Sequence, residues 1–215
     1  MLGIGKNTPE GGVTIGKYET LALAEGAVAE GAGLIASNKT VLGISIATLN
    51  LTIASISGNS FTTSKNSGLK TIFDNIEAPN GFVLKITKQN NGGTVLIPVN
   101  SPSSGDIQGN ILTGYYATLT ALTSLDSLIA QGDTISDLYL GAVIKEYGHH
   151  EGNKNIVAGK SAHAEGEFNI ALGLNSHVEG YSTSAKGDAA HAEGTGTVAN
   201  GNYSHAEGEH TQAIA

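Results

Sequence analysis

The chain has 215 residues, a net charge of −8, charged residues at 14%, aromatics at 5%, and 30 glycines. It contains no Cys, no Trp and no Arg, and all 11 of its basic residues are Lys. This excludes disulfides and thiolate metal sites, and it speaks against a nucleic-acid partner, because phosphate recognition leans on basic patches and Arg forks. No run approaches the length of a membrane-spanning segment.

Residues 1–48 come first. They have no basic segment followed by an apolar run, so no secretory signal is read there. Val13-Thr14-Ile15-Gly16, Leu23-Ala24-Glu25-Gly26 and Val28-Ala29-Glu30-Gly31 echo one another without a clean period. Residues 21–36 fit either a helix weakened by glycines or an extended segment ordered by a partner. An uncharged, glycine-punctuated start suits an attachment arm, and a poorly ordered terminus is the plainer reading.

Residues 49–118 read as a β module. Ile44 to Ile56 alternates with Ser and Thr, the period of a half-buried strand. Residues 82–88 and 94–99 flank Asn90-Asn91-Gly92-Gly93, a hairpin signal. Asn80-Gly81 marks a tight turn, and Pro98 suits an edge strand. A small antiparallel sheet or sandwich is predicted. Residues 119–140 change character: Leu119, Leu122, Leu125, Leu128 and Ile129 recur at three or four residues. That spacing predicts a short helix or neck ending near Gln131-Gly132-Asp133.

Residues 141–215 carry the strongest signal. His149-His150-Glu151-Gly152 is followed at intervals of 14 residues by His163-Ala164-Glu165-Gly166, His177-Val178-Glu179-Gly180, His191-Ala192-Glu193-Gly194 and His205-Ala206-Glu207-Gly208. A fixed short period means a stacked, quasi-one-dimensional structure. Each unit holds two alternating segments, Ser/Ala-His-Ala-Glu-Gly and Thr/Asn-x-Ala-x-Gly, and alternation means strands. Small residues on one face of both segments predict a narrow interior. Gly166, Gly173, Gly180, Gly187, Gly194 and Gly201 fall where strands end, so each is expected to turn with positive φ. On the second segment the outward pairs vary (Ile170 and Leu172, Ser184 and Lys186, Val198 and Asn200, Gln212 and Ile214), which predicts solvent there. On the first they are always His and Glu, which predicts a repeated partner.

The 14-residue unit resembles the left-handed parallel β-roll of trimeric autotransporter adhesin heads, and its His-Ala-Glu-Gly form is similar to repeats in phage head and tail fibre proteins. The resemblance covers about the last 65 residues. It implies a homotrimer in which His163, Glu165, His177, Glu179, His191, Glu193, His205 and Glu207 form an interface ladder. The adhesin family places mostly apolar residues at these positions, so this chain departs from it. Rings of His163, His177, His191 and His205 around an axis could ligate a metal, but repetition in every coil favours the ladder, since a dedicated metal site is usually single.

No catalytic set emerges: there is no nucleophile elbow, P-loop or dinucleotide fingerprint, and no cofactor is expected. The expected protein is mainly β: an elongated trimeric phage virion fibre, of head or tail, made in the host cytoplasm. Its N-terminal arm would dock on a capsid or tail protein. Its repeat shaft, expected to continue past Ala215, would project a region that meets a host surface receptor. A bacterial trimeric surface adhesin is the alternative, and a polysaccharide-cleaving tail spike is a weaker one, since such sites need paired carboxylates and aromatic sugar platforms.

Overall fold

The computed structural model describes residues 13–17, 21–22, 28–32, 35–37, 40–145 and 147–214, with side chains from residue 47 onward. The chain divides into two compact units, one of residues 45–139 and one joining residues 1–44 to 140–215. Of residues 119–140, all but Leu140 fall in the first of these units.

The strands of the N-terminal region are β1 (Val13–Lys17), β2 (Leu21–Ala22), β3 (Val28–Ala32), β4 (Ile35–Ser37) and the long β5 (Thr40–Ser57). β1 pairs with β3 in parallel, matching Val13 to Val28 and Gly16 to Gly31, and β2 pairs with β4, matching Leu21 to Ile35. The echo between the two Gly-ended tetrapeptides is therefore a parallel stacking register. Leu23-Ala24-Glu25-Gly26 and most of the expected arm lie outside the described residues.

In the 45–139 unit, β5 turns at Gly58 into β6 (Ser60–Thr63), with Ile56 opposite Phe61. Leu49, Leu51 and Ile53 are buried while Thr48, Asn50 and Thr52 are exposed, the expected alternation. The short helix α1 (Leu69–Asp74) buries Leu69 and Phe73, and Phe73 stacks on Phe82 with ring centroids 5.8 Å apart. β7 (Phe82–Thr87) and β8 (Thr94–Val99) form the predicted hairpin. Gly92 takes φ +68° in its turn, and the Asn91 side chain accepts the Gly93 N–H. β8 has β7 as its one partner among the named strands, but on its other side the Pro98 carbonyl accepts the Leu122 N–H and Val99 bridges to Ala121, so Pro98 does not stand at a free edge. β9 (Ile107–Asn110) and β10 (Gly114–Thr120) form a second hairpin, and β10 also pairs with β6.

The helix expected over residues 119–140 is not there. Leu119 lies near the end of β10 and is buried, and β11 (Thr134–Val143) pairs antiparallel with β7. Between them Leu125 and Ile129 are buried from a turn in which Asp126 and Ser127 have positive φ, which no right-handed helix permits. The buried Asp133 holds this turn, its carboxylate accepting the N–H groups of Gln89 and Ala130 at 2.9 and 2.8 Å. Leucines at helical spacing here plug a β core; the helix sits at residues 69–74, too short to print a periodicity.

The C-terminal region is a β-solenoid of five coils. One face is β12 (His149–Asn153), β14 (His163–Glu167), β16 (His177–Tyr181), β18 (His191–Thr195) and β20 (His205–Ala206). The other is β13 (Ile156–Val157), β15 (Ile170–Ala171), β17 (Ser184–Ala185), β19 (Val198–Ala199) and β21 (Gln212–Ala213). Every strand pairs in parallel with its counterpart one coil on, and β3 lies against β12. No described helix is long and apolar enough to cross a membrane.

Candidate functional site

The repeated His and Glu side chains stand on the first-strand face because alternation turns their neighbours inward. Ala164, Val178, Ala192 and Ala206 meet Ala171, Ala185 and Ala199 in a continuous buried core. Alanine buries little area, so the coils hold largely through paired backbone and a polar column at one corner. There Asn155, Asn169, Thr183 and Thr197 are fully buried. The Asn169 side chain donates to the Gly180 carbonyl at 2.8 Å and accepts the Thr183 N–H at 2.8 Å. Thr197 and Thr211 donate to the carbonyls of Glu193 and Glu207, four residues back.

The six turn glycines do two different jobs. Gly166, Gly180 and Gly194 have φ of 97°, 104° and 103°, as expected. Gly173, Gly187 and Gly201 do not; a Cβ on Gly173 would strike the Gly187 carbonyl oxygen, and one on Gly187 that of Gly201. That column is glycine for close approach of backbone to backbone. Left-handed corners are instead taken by Tyr147, Ser161, Asn175, Ala189 and Tyr203, and by Lys154, Phe168, Ser182, Gly196 and His210. Their mixed identities left no glycine signal to read.

Parallel, unshifted pairing aligns His149, His163, His177, His191 and His205 in one column. Their rings stack with centroids 4.7–5.1 Å apart and planes within 13°. The Nε2 atoms of His163, His177 and His191 are buried and have no hydrogen-bond partner. The nearest carboxylate oxygens, of Glu179 to His177 and of Glu193 to His191, lie at 3.9 and 3.7 Å, beyond hydrogen-bond reach. A single chain therefore aligns the ladder without closing it. Burial, then the neighbouring imidazoles, lower the pKa of His163 and His191 against the opposing pull of Glu165 and Glu151, and of Glu193 and Glu179. Three sets place ligand atoms within 4.8 Å of one another: His149, Glu151 and His163; His177, Glu179 and His191; His191, Glu193 and His205. Glu165 completes no such set among the described residues.

His150 differs from its counterparts. It takes the inward position that Ala164, Val178 and Ala192 hold in later coils, is 2% exposed, and has no hydrogen-bond partner for either ring nitrogen. Burial, then the charges of His149 and His163, push its pKa down to about 4. The sequence shows it as the one non-aliphatic residue in that column.

The second-strand outward face corrects another expectation. Ile156, Ile170 and Ser184 are buried there and Leu172 and Val198 half-buried, while Lys186, Asn200, Gln212 and Ile214 are exposed. Variation along that column marks a change of surroundings from coil to coil, not uniform exposure. Comparison of the chain with protein-family models, with curated proteins and with solved structures finds no match in any of the three.

Proposed function

We propose that this chain is a structural, non-enzymatic protein: the shaft-bearing part of a homotrimeric phage fibre, of head or tail, attached through its N-terminal region and projecting a distal host-binding region. The observation that carries this reading is the unshifted His–Glu face. It repeats in all five coils, while the outward residues of the second strands vary, and the Nε2 atoms of His163, His177 and His191 are buried without a hydrogen-bond partner within one chain. Buried polar atoms of that kind are costly unless something meets them. Two further copies of the same face, related by an axis parallel to the stack, would do so at every level. A left-handed β-roll shaft is the form that the resemblance of the repeats supports, and the phage setting rests on that resemblance too.

The direct test of association is the mass of the full chain in solution by light scattering. Three times the monomer mass is expected, and a folded monomer overturns the trimer. The virion setting is tested by antibody labelling of purified particles in the electron microscope. Label on a radial fibre supports it; label on a bacterial surface supports the adhesin instead.

A further inference from the structure

Two overlapping sets of side chains on the His–Glu face have the makings of one metal site. His177, Glu179 and His191 bring three ligand atoms within 4.8 Å of one another, and so do His191, Glu193 and His205. His191 belongs to both. Its Nε2 and that of His177 are buried and unpartnered, and the Glu179 and Glu193 carboxylates lean toward them without reaching hydrogen-bond distance. An imidazole nitrogen in that position, with a carboxylate beside it and a parallel ring 4.8 Å away, lacks only the atom that would sit between them.

We propose that this face binds a divalent transition-metal ion of the zinc class between consecutive coils, with His191 as the shared ligand. The ion is held by His177, Glu179 and His191, or by His191, Glu193 and His205, but never by both sets at once, because one Nε2 lone pair serves one ion. Two imidazoles and one carboxylate suit zinc, cobalt or nickel and leave a position for water. Calcium and magnesium prefer sets made of oxygen. Bonds of about 2.0–2.1 Å to a tetrahedral ion place ligand atoms about 3.3 Å apart. The three side chains close to that spacing by rotating about their own bonds, since they point away from the alanine core and are partly exposed, His205 the most. The carboxylates supply the counter-charge to the ion. Because His163, Glu165 and His177 do not form such a set, the ion does not repeat in every coil, although the sequence motif does. All the ligands come from one chain, but the ion would claim Nε2 atoms that the trimer reading leaves for neighbouring copies, so the ion count and the solution mass are measured separately.

The test titrates the full chain, freed of metal with EDTA, with Co²⁺, reading heat and the visible absorption band of tetrahedral cobalt, followed by displacement with Zn²⁺. The number of ions bound per chain is expected to fall by one in His191→Asn. It is expected to stay unchanged in His177→Asn or His205→Asn alone, and to fall by one in their double variant. Glu179→Gln with Glu193→Gln is expected to weaken this ion at least tenfold. Far-ultraviolet circular dichroism confirms that each variant keeps its strands. No Co²⁺ binding by the unmodified chain, no loss in His191→Asn, or a full loss in either flanking single variant overturns the shared site. A loss of one-third of an ion per chain in His191→Asn also overturns it, because the ion would then lie between three copies.

Discussion

His177 and His191, 14 residues apart in the chain, stack with ring centroids 4.8 Å apart and planes within 1° of parallel. That distance is the separation of adjacent strands, so the rings report the coil spacing directly. Unshifted pairing makes each ring the neighbour of the next, and a proton on one repels a proton on the others. The glutamates set against them keep the column from being purely repulsive.

That balance can be measured. Burial and the neighbouring imidazoles lower the pKa of His191, while Glu193 and Glu179 pull it up. Replacing Glu193 by Gln removes an opposing charge, so the His191 pKa is expected to fall further. An NMR titration of the ring protons checks this. An unchanged or higher value would mean that the carboxylate does not act on the ring.

The two glycine columns predict opposite responses to a methyl group. Gly187→Ala asks for no unusual φ but drives a Cβ into the Gly201 carbonyl, and backbone is the part that cannot swing away. It is expected to cost about 2–3 kcal/mol, as overpacking does. Ala189→Gly does the reverse. Ala189 sits at φ 51°, a conformation costing an L-residue about 1–2 kcal/mol, offset by the extra freedom of glycine when unfolded. A small gain of up to ~1 kcal/mol is expected. Urea unfolding of both variants decides the matter.

The corner column makes a third test. Asn169 accepts from the Thr183 N–H and Oγ1–H and donates to the Gly180 carbonyl and to that of Glu165. Asn169→Leu fits the volume but strands these groups out of water, at a cost of about 3 kcal/mol or more. Asn169→Thr keeps a hydroxyl that can reach the Glu165 carbonyl, as Thr197 reaches that of Glu193, and is expected to cost clearly less. Equal losses in the two variants would show that packing, not hydrogen bonding, holds the corner.

Much of the solenoid was legible because its constraints repeat. A 14-residue period, alternation and small inward residues gave the strands, the inward Ala column and the outward His–Glu column. The hairpin at residues 82–99 was legible because Asn and Gly mark its turn. The helix over residues 119–140 failed for a definite reason: Leu119, Leu125 and Ile129 satisfy a helical spacing by chance of burial, and only the positive φ at Asp126 and Ser127, invisible in residue type, distinguishes the turn. The parallel register of β1 on β3 was hidden by imperfect repetition. The overlap of two ligand sets at His191 depends on which way each carboxylate leans, and no spacing rule reports that.

His150 makes the last prediction. Its ring is buried in the first coil without a hydrogen-bond partner, and its pKa is lowered from 6.5 to about 4, first by burial. Lowering a histidine pKa on folding means that the unfolded chain takes up the proton more readily. The neutral ring is therefore compatible with the fold at pH above 6.5. Stability is lost as pH falls from 6.5 toward 4, and the loss levels off below that. The gap corresponds to a loss on the order of 3 kcal/mol at the acid end. The lowered values of His163 and His191 add in the same direction. His150→Val puts at this position the residue that Val178 supplies two coils on, and removes the titrating group. Urea unfolding at pH 7.5 and at pH 4.5 is expected to show a large acid loss in the unmodified chain and a loss smaller by about 2–3 kcal/mol in the variant. Parallel losses in the two proteins would mean that His150 is reached by water and that the acid sensitivity belongs to the stacked column alone.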